Sequence, residues 1–275
     1  GFTKSLTLNT GSVLSIGAQD LFVAAGTMNA ANGRVNIDST FTLTGTATYS
    51  ASAYRTYASG DWVQQSGSFI DNGGAVIFNG ATDQILTTAG TASTQDFGRV
   101  VLEKSGGTLY LTTALKTSDN LEIRGKSEFD MQGKTVTVGK DLLVYGAVTL
   151  EGGEPLTYTG VLTNQGIVTY TGTSTYSSLL LGNRYTTVTF KNGGTWTHTD
   201  DMYVDRNLRL LTNTLVDIAD DTLTIGETGA IFTDNNIAVN FTNLRSIYTS
   251  LGINSGFLRK NIASAASLPY NFRFP

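Results

Sequence analysis

Hydrophobic and polar residues alternate in short runs along most of the chain. Clusters of Gly, Asn, Asp and Ser separate these runs. Strict alternation over a few residues is typical of a half-buried β-strand, and the separating residues are typical of turns. No segment keeps the i, i+3, i+4, i+7 pattern of an amphipathic helix over three turns. The sequence therefore predicts an all-β chain, with strands at 5–8, 13–16, 41–44, 75–78, 100–103, 108–111, 121–123, 135–138 and 147–150.

An internal repeat orders these strands on a larger scale. Residues 104–139 align with residues 191–226 without a gap, at an offset of 87. Residues 71–80 resemble residues 163–172 at an offset of 92, and residues 12–17 resemble the end of the repeat. The chain therefore contains two units of roughly 90 residues, preceded by the tail of an earlier one.

Two all-β folds accommodate such strands, a β-solenoid and a pair of tandem β-sandwich domains. The strands are shorter than the usual five or six residues, and the 43 threonines could form rows along stacked coils. We therefore predict a right-handed parallel β-helix of about 11–13 coils, each of about 20–25 residues, forming a rod of roughly 50–60 Å. Tandem β-sandwiches, one for each repeat, are the alternative.

Composition excludes several kinds of chemistry. The 275 residues include no cysteine and a single histidine, His198, so disulfides and cysteine-ligated metals are excluded. Only 15% of the residues are charged and the formal net charge is −4, which argues against a nucleic-acid partner. No run of 18 or more apolar residues predicts a transmembrane helix.

The C-terminal part of the chain differs in charge from the rest. The residues after Asp234 include none of the 22 acidic residues but four of the 18 cations: Arg245, Arg259, Lys260 and Arg273. We predict that residues 1–240 form the solenoid and that residues 241–275 form a cap or begin a further unit. The opposite charges of body and tail predict head-to-tail contact between copies through the last three of these cations.

An aromatic-rich segment is a candidate binding site. Residues 46–62, TATYSASAYRTYASGDW, show no clean alternation and carry several aromatic rings. Exposed rings stack on the faces of sugars, and loops on a rigid scaffold often bind ligands. The sequence therefore predicts that Tyr54, Tyr57 and Trp62 bind extracellular polysaccharide, although the same rings could instead cover the side of a coil.

Acidic residues near the end of the second repeat are candidate ligands for a structural calcium ion. Asp217, Asp220 and Asp221 cluster in predicted turns, where carboxylate oxygens suit Ca²⁺. No other cofactor is predicted.

Two acidic doublets, Asp200-Asp201 and Asp220-Asp221, are poor candidates for glycoside hydrolysis, which needs two carboxylates facing one cleft. Adjacent residues of a strand, such as Asp200 and Asp201, point to opposite faces. We predict that the chain is not an enzyme. A polysaccharide-degrading enzyme on a β-helix is the alternative.

Three segments resemble the repeats of large secreted, β-helical, adhesin-like surface proteins of Bacteroidota: GGAVIFNGATDQIL, RVVLEKSGGTLYLTTALKTSDNLEIRGKSEFDMQGKTVTVGKDLLV and LPYNFRFP. The resemblance implies an extracellular or cell-surface protein, either an adhesin or a stalk that can form filaments. It also implies a piece of a longer chain, in contact with flanking domains or other copies. The start at Gly1 is in keeping with a mature or excised product.

Overall fold

A computed structural model of the chain describes residues 5–89, 96–212, 214–217, 222–226, 230–233 and 257–260. These residues form parallel β-strands stacked as a β-solenoid of about ten turns. The predicted all-β solenoid class is confirmed, whereas the predicted 11–13 coils exceed the number of turns in the structure. Within these ranges the chain has no helix, and so none long and apolar enough to cross a bilayer.

The chain divides into two compact units. Unit 1 comprises residues 1–149 and 154–163, and unit 2 comprises residues 150–153 and 164–275. Two strands, β20 and β22, run across the boundaries between the units in the sequence. The strands up to β22 are β1 (Ser5–Thr7), β2 (Val13–Ile16), β3 (Leu21–Val23), β4 (Thr27–Asn29), β5 (Arg34–Ile37), β6 (Phe41–Leu43), β7 (Thr48–Ser50), β8 (Arg55–Ala58), β9 (Trp62–Gln64), β10 (Ser68–Ile70), β11 (Ala75–Phe78), β12 (Gln84–Thr87), β13 (Arg99–Leu102), β14 (Thr108–Leu111), β15 (Leu115–Thr117), β16 (Leu121–Ile123), β17 (Glu128–Asp130), β18 (Val136–Val138), β19 (Leu142–Val144), β20 (Ala147–Leu150), β21 (Leu156–Tyr158) and β22 (Leu162–Asn164).

Unit 1 is built from parallel sheets that the chain visits in turn. Sheet 1 has the order β1-β4-β7-β10, and sheet 2 contains β2-β5-β8-β11-β13-β16-β19. Sheet 3 contains β3-β6-β9-β12-β14-β17-β20, and the short sheet 4 has the order β15-β18-β21. Each of the first four coils therefore supplies one strand to sheet 1, one to sheet 2 and one to sheet 3.

Side-chain hydrogen bonds between neighbouring coils give the length of a coil. Asn36 bonds to Ser15, its register partner in sheet 2, at a separation of 21 residues. Ser59 and Asn79, which follow the paired strands β8 and β11, are 20 residues apart. The Thr87–Thr112 bond beside sheet 3 spans a longer coil of 25 residues. These three spacings lie within the range predicted from the sequence.

Aromatic side chains fill the interior of the first coils. Trp62 is fully buried, and its ring lies 4.3 Å from the ring of Phe41 and 5.6 Å from those of Phe69 and Phe97. Tyr49 is also fully buried, with its ring 5.1 Å from that of Phe41. The rings come from different sheets and successive coils, so they join the sheets into one core.

Carboxylate and amide side chains fix the corners between coils. An oxygen of Asp61 accepts a hydrogen bond from the backbone N–H of Ile85 at 2.8 Å, in the next coil. The same relation links Asp83 to Thr108 and Asp141 to Val161. These carboxylates therefore satisfy backbone donors at turns where the sheet ladder ends.

Close packing of the coils explains a glycine at one corner. A Cβ atom at Gly60 would overlap the carbonyl group of Ser39 in the preceding coil. No side chain fits that gap, so the corner requires glycine.

The strands of unit 2 are β23 (Ile167–Tyr170), β24 (Thr175–Tyr176), β25 (Arg184–Phe190), β26 (Thr195–Thr197), β27 (Met202–Leu210), β28 (Leu215–Asp217), β29 (Thr222–Ile225), β30 (Ala230–Thr233) and β31 (Phe257–Lys260). Two of them, β25 and β27, are longer than any described strand of unit 1. β24, β26 and β28 form one sheet. β27 pairs with β25, with a register shift between Tyr185 and Thr187. Both β29 and β30 pair with β27, at its beginning and its end respectively.

The two copies of the sequence repeat have different strand structures. In the first copy, residues 115–117 and 121–123 form separate strands, β15 and β16, in different sheets. Their equivalents at the offset of 87, residues 202–204 and 208–210, both lie in the single strand β27. The sequence repeat therefore conserves the inward-outward alternation but not the position of the corner.

The nine strands predicted from alternation are confirmed within a residue or so at each end: β1, β2, β6, β11, β13, β14, β16, β18 and β20. Residues 46–62 show no clean alternation in the sequence, but the structure of this segment is regular. That segment contains β7 and β8 and the first residue of β9, in register with their neighbours. Alternation was hidden there because small or polar residues, Thr56 and Ala58, occupy inward positions.

Replacing Trp62 with alanine should lower the free energy of unfolding by about 3–5 kcal/mol, because a cavity would open among several rings. The indole Nε1 of Trp62 is buried without a hydrogen-bond partner, so Trp62→Phe should cost clearly less. Urea unfolding followed by circular dichroism measures both. The outward-facing neighbour Val63 is the control, and a Val63→Ala loss as large as that of Trp62→Ala would contradict this account.

Candidate binding surface

The outward side of sheet 2 presents a row of polar and aromatic residues in its first coils. Ser15, Asn36 and Tyr57 are register partners on β2, β5 and β8. Val35 and Ile37, the inward residues on either side of Asn36, are fully buried. Alternation therefore places these three side chains together on the outer surface of the sheet.

This row forms one wall of a shallow, open depression. Asp38 and Asn79, which follow β5 and β11, complete its lining. Asn36 Nδ2 donates to Ser15 Oγ at 3.3 Å, and Ser59 Oγ donates to Asn79 Oδ1 at 3.0 Å. The depression thus offers amide, hydroxyl and carboxylate groups beside the half-buried ring of Tyr57, a combination suited to polyhydroxylated ligands.

A second hollow lies at the start of the same strands. Its lining includes Arg34 and Tyr54, together with polar residues of the neighbouring turns: Thr10, Ser12 and Asn32. Tyr54 lies in the bend before β8 and is 56% exposed. Arg55 extends from the next position, and its Nη1 donates to Tyr57 Oη at 3.2 Å. We name the outer surface of β2, β5 and β8 with these two hollows the sheet 2 surface.

The structure separates the three predicted sugar-binding aromatics. Tyr54 and Tyr57 both lie on the sheet 2 surface. Trp62 faces inward and is fully buried, so the prediction that its ring contacts a ligand is corrected. The reason is strand parity, since Trp62 and Gln64 point inward and Val63 points outward.

Sequence reasoning missed Arg34, Asn36, Asp38 and Asn79. The available signal was the regular spacing of Ser15, Asn36 and Tyr57, which follow each other at the length of one coil. The sequence repeat, with its offset of 87 residues, spans several coils and does not show this shorter spacing.

The predicted calcium and assembly residues lie at or outside the limits of the description. Asp217 ends β28, whereas Asp220 and Asp221 lie outside the described residues. In the described ranges no three acidic or histidine side chains converge as metal ligands. The backbones of Arg259 and Lys260 belong to β31, which pairs in parallel with β29, and Arg273 lies outside the described residues. The calcium and assembly predictions remain predictions.

Further along sheet 2, arginines are paired with carboxylates. Glu122 accepts from Arg99 Nη2 at 2.5 Å and from Arg124 Nε at 2.8 Å, and Arg124 also contacts Glu103. Burial opposes ionisation of Glu122, but the hydrogen bonds from Arg124 and Arg99 outweigh it and lower the pKa of Glu122. This network balances its own charges and stabilises the coils that it spans.

Lys104 is a buried cation in a different environment. Its Nζ donates to Gln84 Oε1 at 2.6 Å and to the carbonyl oxygen of Thr82 at 2.8 Å. Gln84 is itself buried, and it bonds back to the carbonyls of Ala58 and Gly60. Burial lowers the pKa of Lys104 to about 8, against the opposing effect of nearby aspartates. Because two protein acceptors hold the ammonium, we interpret Lys104 as a link between coils.

His198 is buried, at 6% exposure, just after β26 in unit 2. Alternation places His198 on the same inward side as Trp196.

The coil register and the parallel sheets define the chain as a β-solenoid repeat protein. No protein-family model matches the chain, and no curated protein or solved structure gives a significant match.

The lowered pKa of Lys104 predicts a pH dependence of stability. Between pH 8 and the ordinary lysine value of 10.5, the unfolded chain binds a proton that the folded chain has released, so stability rises with pH. From pH 8 to 9.5, the wild-type free energy of unfolding should gain about 1.5 kcal/mol relative to Lys104→Met.

Urea unfolding at a series of pH values measures this slope. The control is Lys126→Met, which removes an exposed lysine and should keep the wild-type slope. An identical slope in wild type and Lys104→Met would show that Lys104 titrates normally.

Proposed function

We propose that the chain is a non-enzymatic, extracellular structural and adhesive protein. In this proposal the solenoid is displayed on a cell surface or assembles into a fibre. The observation that supports it most is the unbroken parallel register of sheet 2 in unit 1, from β2 to β19. Each coil repeats the support of the one before, which suits a scaffold that holds a surface in place.

The interior of unit 1 supports the same role. Inward positions carry large apolar side chains, and the aromatic cluster around Trp62 joins successive coils. Corner carboxylates are engaged with backbone N–H groups. The aromatic rings and the corner carboxylates therefore hold neighbouring coils together, which is a structural role.

The proposal includes a relation to secreted, β-helical, adhesin-like surface proteins of Bacteroidota. It is supported by the sequence segments that resemble their repeats and by the solenoid fold. Secretion, surface display and membership of a longer chain follow from that relation as parts of the proposal.

A second candidate function is carbohydrate binding, and the sheet 2 surface favours it. Tyr54 is 56% exposed, and Tyr57 lies against hydroxyl and amide groups of adjacent coils. A flat ring beside hydrogen-bonding groups matches a sugar, which has one apolar face and a rim of hydroxyls. Adhesion through this surface would unite the two functions.

Assembly provides the first test of the structural proposal. If the basic residues of the tail mediate contact between copies, Arg259→Glu, Lys260→Glu and Arg273→Glu together should abolish fibres seen by electron microscopy and leave a 29.2 kDa species in light scattering. The control changes three exposed cations elsewhere, Lys126, Lys140 and Arg184, to Glu. Fibres that persist in the tail variant, or that vanish equally in the control, would contradict a specific role for the tail.

Retention on immobilised polysaccharides tests the second function. Replacing Tyr54 and Tyr57 with alanine should reduce retention at least about tenfold, because each stacked ring contributes about 1 kcal/mol or more. The control is Tyr145→Ala, which removes an exposed tyrosine (41%) from the end of β19. Equal retention of the Tyr54/Tyr57 variant and the wild type would exclude the sheet 2 surface.

A further inference from the structure

We propose that the sheet 2 surface binds an acidic polysaccharide, through the carboxylate or sulfate groups of its sugars. This inference rests on the second proposed function, carbohydrate binding, and narrows it to anionic sugars. Two arginines would bind the anionic groups, two tyrosines would support the rings, and amide side chains would bind hydroxyls.

The two arginines are neighbours without a carboxylate partner. Arg34 and Arg55 occupy the same row of β5 and β8, since the following residues, Val35 and Thr56, are register partners. Adjacent strands lie about 4.8 Å apart, so the register places two positive residues on neighbouring strands. Both are exposed, and neither forms an ion pair with any residue that the structure describes.

A third arginine in the same row differs from these two in having an ion-pair partner. Arg99 occupies the same row beyond Ala75, and there the chain supplies Glu122 as a partner. Neither Arg34 nor Arg55 has an ion-pair partner among the described residues, and Glu103 acts on Arg55 only at longer range. Arg34 and Tyr54 line the first hollow, and Tyr57, which Arg55 contacts, lines the second. A guanidinium binds a carboxylate or sulfate through paired N–H groups, so both arginines are free to bind an anionic ligand.

The groups around the arginines favour a sugar over other anions. Tyr54 lies next to Arg34 in the first hollow, and Tyr57 accepts a hydrogen bond from Arg55. Asn36 and Asn79 add amides that can donate to ring and hydroxyl oxygens. These partners suit alternating charged and hydroxyl groups.

Asp38 and the net charge of the chain favour a ligand polymer with a low density of negative charge. Asp38 lines the second hollow, where its carboxylate can accept from a hydroxyl but would repel a phosphate. The chain also has a formal net charge of −4. Duplex DNA carries one negative charge per about 1.7 Å of its axis, which is denser than one charge per sugar on a single polysaccharide chain, so these groups fit the polysaccharide better.

The track is short. From Arg34 to Asp38 the strand advances about 13 Å, at about 3.3 Å per residue. Only a brief stretch of polymer contacts the surface, so single-site binding should be weak and sensitive to salt.

The test compares charged and neutral forms of the same polymer on the full chain. Isothermal titration calorimetry would use polygalacturonate oligomers and their fully methyl-esterified form, and then dextran sulfate and dextran. We expect the charged form to bind at least about tenfold more tightly. Which of the two charged polymers binds more tightly distinguishes carboxylate from sulfate recognition.

Variants locate the site. Arg34→Gln with Arg55→Gln should weaken binding of the charged polymer at least about tenfold, with little effect on a neutral one. The matched control is Arg184→Gln, which removes an exposed arginine that lies 4.7 Å from the ring centre of Tyr203. Because all three arginines are on strand surfaces, circular dichroism and thermal unfolding should show that the variants fold.

Four outcomes would overturn the inference, and the last of them would refute the broader proposal as well. Equal binding of charged and neutral polymers would leave carbohydrate binding standing and refute the acidic specificity. Binding that Arg34→Gln with Arg55→Gln does not weaken would refute the site. Tighter binding of a duplex DNA of equal length would refute the choice of polysaccharide. The absence of binding to every polysaccharide probe would refute both this inference and the carbohydrate-binding function.

Discussion

The backbone hydrogen bonds between successive coils are the interaction on which the rest of the structure depends. Because the strands pair in parallel and in register, each residue lies directly beside its equivalent one coil away. The side chain at one position therefore lies beside a similar or a complementary side chain at the same position of the next coil. Apolar residues in an inward row make a core, and polar residues in an outward row make a surface. The aromatic cluster, the corner carboxylates and the sheet 2 surface are all products of this repetition.

Much of the fold could be predicted from the sequence because this repetition leaves a visible pattern. Segments such as 75–78 and 108–111 alternate clearly, and they became β11 and β14. The segment around β8 and β9 did not alternate clearly, because Thr56 and Gln64 are buried at inward positions. Buried polar groups of this kind are tolerated only when the fold surrounds them, which a local pattern cannot show.

The candidate surface was harder to predict than the fold. Tyr54 and Tyr57 were found by composition, but composition could not distinguish them from Trp62. Strand parity decides that distinction, because a shift of one residue would have placed Trp62 at the surface and Val63 in the interior. Only the strand register shows that Arg34 and Arg55 lie side by side on one surface. Isolated in the sequence, each reads as an ordinary surface cation.

The regular step of the register has a consequence for how such a chain can change over evolutionary time. Most steps of sheet 2 have the same length as the step from Ser15 to Asn36. A gene that gains or loses one whole coil keeps every remaining inward residue inward and every corner aspartate next to a backbone N–H. The gain of a single residue within a strand would instead turn its apolar row toward water. Length is therefore a property that selection can adjust in units of one coil without redesigning the core.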